Sequence, residues 1–155
     1  MTRRDRLIRE REHDPYKLRQ KLQEPSACGD CGASYHKGRW EWATAPPDAT
    51  SVVCPACQRV RDDYPAGVLT LRGEFNLQHR EEVIGLVRNV ENRETRHHPQ
   101  KRIMAVVESE GDVTVTTTEA ALARNLGTAL RDAYDGKLDY HYTDEGGVLR
   151  VLWER

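Results

Sequence analysis

No stretch of this 155-residue chain comes near the ~20 consecutive apolar residues that span a bilayer. Its opening, MTRRDRLIREREHDPYKLRQKLQEP, lacks the apolar centre of a signal peptide. Together these absences predict a soluble, cytoplasmic protein without membrane association. There is no phosphate-binding glycine loop, no nucleophile elbow and no paired-carboxylate motif, which disfavours an enzyme and leaves no site for a small-molecule substrate. Bulk charge is missing too. Lys and Arg number 24 against 25 Asp and Glu, a formal net charge of −1. Such a chain does not bind nucleic acid by overall electrostatic attraction, so any RNA contact has to come from a local surface. No internal repeat is present beyond an alternation of strand and helix patterns.

What charge there is lies unevenly. Residues 1–25 carry eight Arg and Lys against five Asp and Glu. They hold few apolar side chains, and Pro15 breaks any continuous helix. They read as a basic, partly disordered arm. Residues 26–66 hold all four cysteines, and residues 67–155 form an α+β unit.

The cysteines come as Cys28-x2-Cys31 and Cys54-x2-Cys57. In a reducing compartment, two close pairs point to a metal rather than to disulfides. Gly29, Gly32 and Pro55 beside them suit the tight turns of two knuckles, which would converge four sulfurs on one structural zinc ion. The alternatives are an iron–sulfur centre and a dithiol redox pair. A closed four-sulfur site leaves no position for water, so the metal is expected to hold a shape rather than to catalyse. His36 is an alternative to one thiolate in principle, but its distance from either pair favours a loop or surface role.

Between the pairs lies SYHKGRWEW. Alternation puts Trp40 and Trp42 on one face of a strand, with Arg39 and Glu41 on the other. Aromatics interleaved with cations suit single-stranded or looped RNA. Equally, a module this small needs aromatic bulk for its own core. One tryptophan is expected in that core, which leaves Lys37 and Arg39 as the better contact candidates.

From Gly67 the text alternates. GVLTLRG (67–73) reads as a strand and residues 76–94 as a helix with Asn76 as N-cap. RIMAVVES (102–109) and DVTVTTT (112–118) read as a hairpin through Glu110-Gly111. Thr116 and Glu119 suggest a capping box opening a helix whose Leu122, Leu126, Ala129, Leu130 and Ala133 form one stripe. Gly136 stops that helix, and residues 137–143 and 147–155 make a final hairpin about DEGG. The fold class expected is α+β: an N-terminal zinc ribbon of two cysteine knuckles, followed by a ferredoxin-like α+β sandwich with both helices on one sheet face. His79, His97 and His98 resemble a second metal site, but adjacent histidines before Pro99 fit an exposed helix end better. Arg96, Lys101 and Arg102 beside them are secondary phosphate-contact candidates.

These cysteine pairs, followed by TTTEAALARNLGTALRDAYDGKLDYHYTDEGGVLRVLWER, resemble the zinc-binding adaptor family that accompanies the large ribosomal subunit in nuclear export. More closely, GRW-x-W (Gly38–Trp42), CPAC-x-R (Cys54–Arg59), PAG-x-L-x-L-x-G (Pro65–Gly73) and His98-Pro99 resemble a group of short, uncharacterised bacterial zinc-ribbon proteins. The resemblance covers roughly residues 26–155. It implies Cys28, Cys31, Cys54 and Cys57 as ligands and a ribosome or RNA partner. The export adaptor has further cysteine pairs and domains that this chain lacks, and a bacterial cell has no nuclear export, so binding rather than transport is what carries over. The expected function is that of a non-enzymatic zinc-ribbon accessory protein that binds RNA on the ribosome, in assembly or stress. Lys37, Arg39, Trp40, Trp42 and Arg59 are the candidate RNA contacts. The alternative is a protein–protein adaptor or regulatory scaffold with a purely structural zinc. A thiol redox sensor is a third reading.

Overall fold

The computed structural model describes residues 22–143 and 147–155. The basic arm expected over residues 1–25 lies outside the described residues as far as residue 21, and of the turn expected about DEGG residues 144–146 lie outside them too. Two sheets and four helices make up the rest, and no described helix is long and apolar enough to cross a membrane.

The first sheet belongs to the cysteine-bearing segment. It contains β1 (Ser26–Cys28), β2 (Ser34–His36), β3 (Arg39–Glu41) and β4 (Thr50–Val52), in the order β3-β2-β1-β4. β2 and β3 join through Lys37 and Gly38, at φ +53° and +79°. Two successive left-handed residues make the kind of tight turn that matches strand twist, and it lifts Lys37 to an exposed tip. β4 runs parallel to β1, so the segment is not a simple antiparallel ribbon.

The second expected knuckle is instead the start of a helix, α1 (Pro55–Asp62). The sequence cause is local. Pro55 occupies the first turn, where its missing N–H costs nothing, and Cys54 caps the helix, its sulfur accepting from Cys57 N at 3.5 Å. Asp63, at φ +50°, ends α1 in the left-handed region.

The second sheet holds β5 (Gly67–Arg72), β6 (Ile103–Ser109), β7 (Asp112–Thr117), β8 (Lys137–Tyr142) and β9 (Leu149–Glu154), in the order β6-β7-β5-β9-β8. The expected order of strand, helix, two strands, helix, two strands is present. A ferredoxin-like sheet has four antiparallel strands with the last beside the first. Here β9 takes that place, parallel to β5, and β8 pairs outside it. Helix α4 (Ala120–Tyr134) crosses this sheet. Its Leu122, Leu126 and Leu130 stripe is buried with Leu69, Leu71, Val113, Val115, Val151 and Trp153. Helix α3 (Arg80–His97) adds Val83, Val87 and Val90 to the same core.

Two capping expectations fail. Asn76 is not an N-cap. It lies fully buried inside a short helix, α2 (Glu74–Gln78), where its side chain donates to Leu71 O at 3.2 Å. The chain then bends at His79 before α3 begins, which lets Phe75 lie edge-on to Trp153 at 6.4 Å. Thr116 is still within β7 and so cannot cap α4. Glu119 holds that position without a side-chain hydrogen bond, while Thr117 Oγ1 donates to Glu119 O at 2.7 Å.

Gly73 is required at the entry to α2. Its φ is +106°, and a Cβ there would meet the Arg155 backbone, 2.7 Å from its carbonyl carbon and 2.9 Å from its nitrogen. Gly73→Ala should therefore destabilise the protein by about 1–3 kcal/mol, read as a lower urea midpoint. An unchanged midpoint would show that the C-terminal backbone yields freely.

Candidate metal centre

Cys28 ends β1, and the chain turns back at once. Gly32, at φ +83°, donates its N–H to Cys28 O at 3.0 Å, and Cys28 N donates to Ala33 O at 2.8 Å. This turn brings Cys31 round beside Cys28. β4, paired with β1, delivers Cys54 to the same place, and the first turn of α1 supplies Cys57. Cys28, Cys54 and Cys57 are buried and Cys31 is half-buried. The four sulfurs all lie within 4.8 Å of one another, and Cys31 and Cys54 are 3.8 Å apart. Four ligands at ~2.3 Å around an ion, tetrahedrally arranged, sit about 3.8 Å apart. The donor set thus fits a tetrahedral ion, and the four cysteines can coordinate one.

Among the described residues, this is the one group of Cys, His, Asp and Glu side chains placed to share an ion. His79, His97 and His98 form no second cluster of that kind, and His36 is exposed at the end of β2.

The thiols differ. Burial pushes the Cys28 thiol up, but N–H groups of Cys54, Cys31 and Asp30 and a hydrogen bond with Cys31 bring it down to about 6. Burial pushes the Cys57 thiol up to about 12, with Arg102 opposing. Burial also raises Cys31. A bound ion replaces these protons, because cysteine binds metal as thiolate.

A cation from the other half of the chain closes the cluster. Arg102 sends Nη1–H to Cys57 Sγ at 3.1 Å and Nη2–H to Cys31 Sγ at 3.1 Å and Cys54 Sγ at 3.5 Å. Burial works against its charge, yet these hydrogen bonds and the Coulomb attraction of the sulfurs hold it protonated beyond the ordinary arginine range. Four thiolates on a divalent ion carry a net double negative charge, and a buried charge requires a partner. Arg102 supplies one.

No family model, curated protein or solved structure matches the chain. Its chemistry rests on its own residues.

Of the candidate RNA contacts, Trp40 packs against the cysteine cluster and tilts on Tyr35 at 5.2 Å, so it serves as core. Trp42 lies just past β3, 45% exposed. Its Nε1–H donates to Thr95 O at 2.7 Å, and its ring lies 5.7 Å from the Arg102 guanidinium. Arg59 is buried on α1 and donates to Tyr64 O at 3.0 Å, which gives it a structural place away from the tip. Lys101 is paired with Glu94 at 3.5 Å.

The structure also joins residues that are far apart in sequence. A cleft of about 480 Å³ has Arg39, Trp40, Glu41 and Trp42 on one side and Arg96, His97 and His98 on the other. Strand β3 provides the first wall and the end of α3 the second. Sequence reading places these residues in separate segments. Basic and aromatic side chains are what the two segments have in common.

Proposed function

We propose that this protein is a non-enzymatic accessory factor, organised by one structural zinc ion, that binds RNA and acts on the ribosome in assembly or stress. Zinc is the ion that four thiolates in a closed tetrahedral set favour. In this reading Cys28, Cys31, Cys54 and Cys57 hold it, and its role is to fix β3 and α1 in place. A zinc ribbon beside a ferredoxin-like core enlarged by β9 is the corresponding fold reading.

The single observation that carries the RNA reading is the cleft. Exposed Arg39, Arg96, His97 and His98 surround the partly exposed ring of Trp42, a local surface in a protein of net charge −1. Guanidinium groups suit phosphates and an indole face suits an unpaired base. Lys37, at the tip of the β2–β3 turn, extends the cationic edge.

Substituting Arg39 and Arg96 together with alanine should weaken binding of a labelled single-stranded RNA about tenfold or more. It should also flatten the slope of log affinity against log salt by about 0.7 for each phosphate no longer neutralised. Fluorescence anisotropy over a salt series measures both. An unaltered slope would remove the cleft from consideration. A protein partner is the second reading, favoured by the exposed Tyr140 and Tyr142 on the sheet-edge strand β8. Capture of a defined protein that survives nuclease and high salt would select it.

A further inference from the structure

The two walls of the cleft are joined through the cysteine cluster. The connection between α3 and β6 is tightly held. Arg102 Nε–H donates to Pro99 O at 2.7 Å, Arg102 N to Thr118 Oγ1 at 2.8 Å, and Thr118 N to Arg102 O at 2.9 Å. From this anchored backbone the Arg102 guanidinium reaches three of the four sulfurs and lies against the Trp42 ring. Two neighbouring links run the same way. Gln100 Oε1 accepts from Ala56 N at 2.9 Å at the start of α1, and Trp42 donates to Thr95 O on α3.

Each of these links needs the cysteine segment in its folded form. That segment has a small core of its own, formed by the cysteines with Ala56, Trp40 and Val53. Modules of this kind owe their folding to the metal. Without an ion this small segment loses the main support of its fold, and the half-buried guanidinium of Arg102 loses three fixed acceptors. A partly buried cation deprived of its acceptors is driven toward water, which would draw Arg102 outward. The Trp42 ring then loses its cation and the cleft loses a fixed spacing between its walls.

We propose that the cleft is a conditional site, assembled only while the cysteine cluster holds its ion, with Arg102 as the positioning residue that transmits metal occupancy to the RNA-binding surface. The ligand in this statement rests on the RNA reading above. The coupling between cluster and cleft does not.

The test compares wild-type protein and Arg102→Gln, each loaded with zinc, in two measurements. One is the affinity for fluorescein-labelled oligouridylate. The other is hydrogen exchange of the Trp42 indole N–H, with the Trp153 indole N–H, bonded to Asp135 O at 2.8 Å, as an internal control. Arg102→Gln should exchange the Trp42 indole at least tenfold faster and bind oligouridylate about tenfold more weakly, a loss of about 1.4 kcal/mol, with Trp153 unchanged. Chelating the ion from the wild type should do the same, and restoring zinc should reverse it. If Arg102→Gln loses zinc, the chelated wild type decides: an unprotected Trp42 indole upholds the proposal and a protected one overturns it. The proposal falls if Arg102→Gln keeps zinc with wild-type exchange and affinity, or if chelation leaves Trp42 protected. Should zinc-loaded wild type ignore oligouridylate, the RNA reading fails, and the coupling is decided by indole exchange alone.

Discussion

Replacing Cys54 with serine should abolish metal binding and unfold residues 26–62, while the five-stranded sheet stays folded. Cys54 is fully buried, caps α1 and is one of four sulfurs within mutual reach. Losing it removes a ligand and a helix cap together. The thermodynamic effect is large because metal affinity in such modules is folding energy, on the order of 10–16 kcal/mol for structural zinc sites near neutral pH. Native mass spectrometry should find one ion per chain in the wild type and none in Cys54→Ser. Hydrogen exchange should lose protection through β1–β4 and α1 while Leu69, Val113 and Val151 keep theirs. If Cys54→Ser retained an ion and an ordered first sheet, the four-thiolate description of this centre would be wrong.

The second large effect lies in the other unit. Trp153→Ala should destabilise the protein by about 3–5 kcal/mol, the usual range for emptying a buried tryptophan site. Trp153 is fully buried on β9, meets Phe75 edge-on and donates its indole N–H to Asp135 O at the end of α4. It joins the middle of the sheet to α2 and to the α4–β8 turn. Trp153→Phe keeps most of the apolar bulk but leaves the Asp135 carbonyl unpaired, so a smaller loss of about 1–3 kcal/mol is expected. Chemical denaturation read by far-ultraviolet circular dichroism separates the two. Equal losses would show that the indole hydrogen bond to Asp135 O, which both variants remove, carries the effect and packing none of it.

Legibility in the sequence followed the range of the interactions. The cysteine spacing announces a cluster because two residues between thiols is a local constraint, and the four sulfurs do converge. Strand alternation finds β7, where Val113 and Val115 are buried between half-buried neighbours. The Leu122, Leu126 and Leu130 stripe finds α4 for the same reason. Where distant groups decide, local pattern misleads. Asn76 has the residue type of a cap, yet the Leu71 carbonyl claims it. Cys54-Pro-Ala-Cys57 has the spacing of a knuckle, yet Pro55 begins a helix. The place of β9 between β5 and β8 is set by which edges remain unpaired, and no window of sequence holds that information. Arg102 is the clearest case. Next to His98-Pro99 it reads as a helix-end cation free for phosphate, and its sulfur partners are visible only once the chain has folded.

The placement of β9 also has a consequence for how the molecule assembles. β5 is an early strand of its sheet, but the neighbour on one of its sides is the last, with Gly67 opposite Leu149 and Arg72 opposite Glu154. Pairings this distant along the chain are closed late, because loop closure has to precede any gain from the contact. Until then β5 presents an open edge flanked by the apolar residues Leu69 and Leu71, a template on which other chains can add. Pairing of residues 149–154 with β5 is therefore the contact that closes this edge.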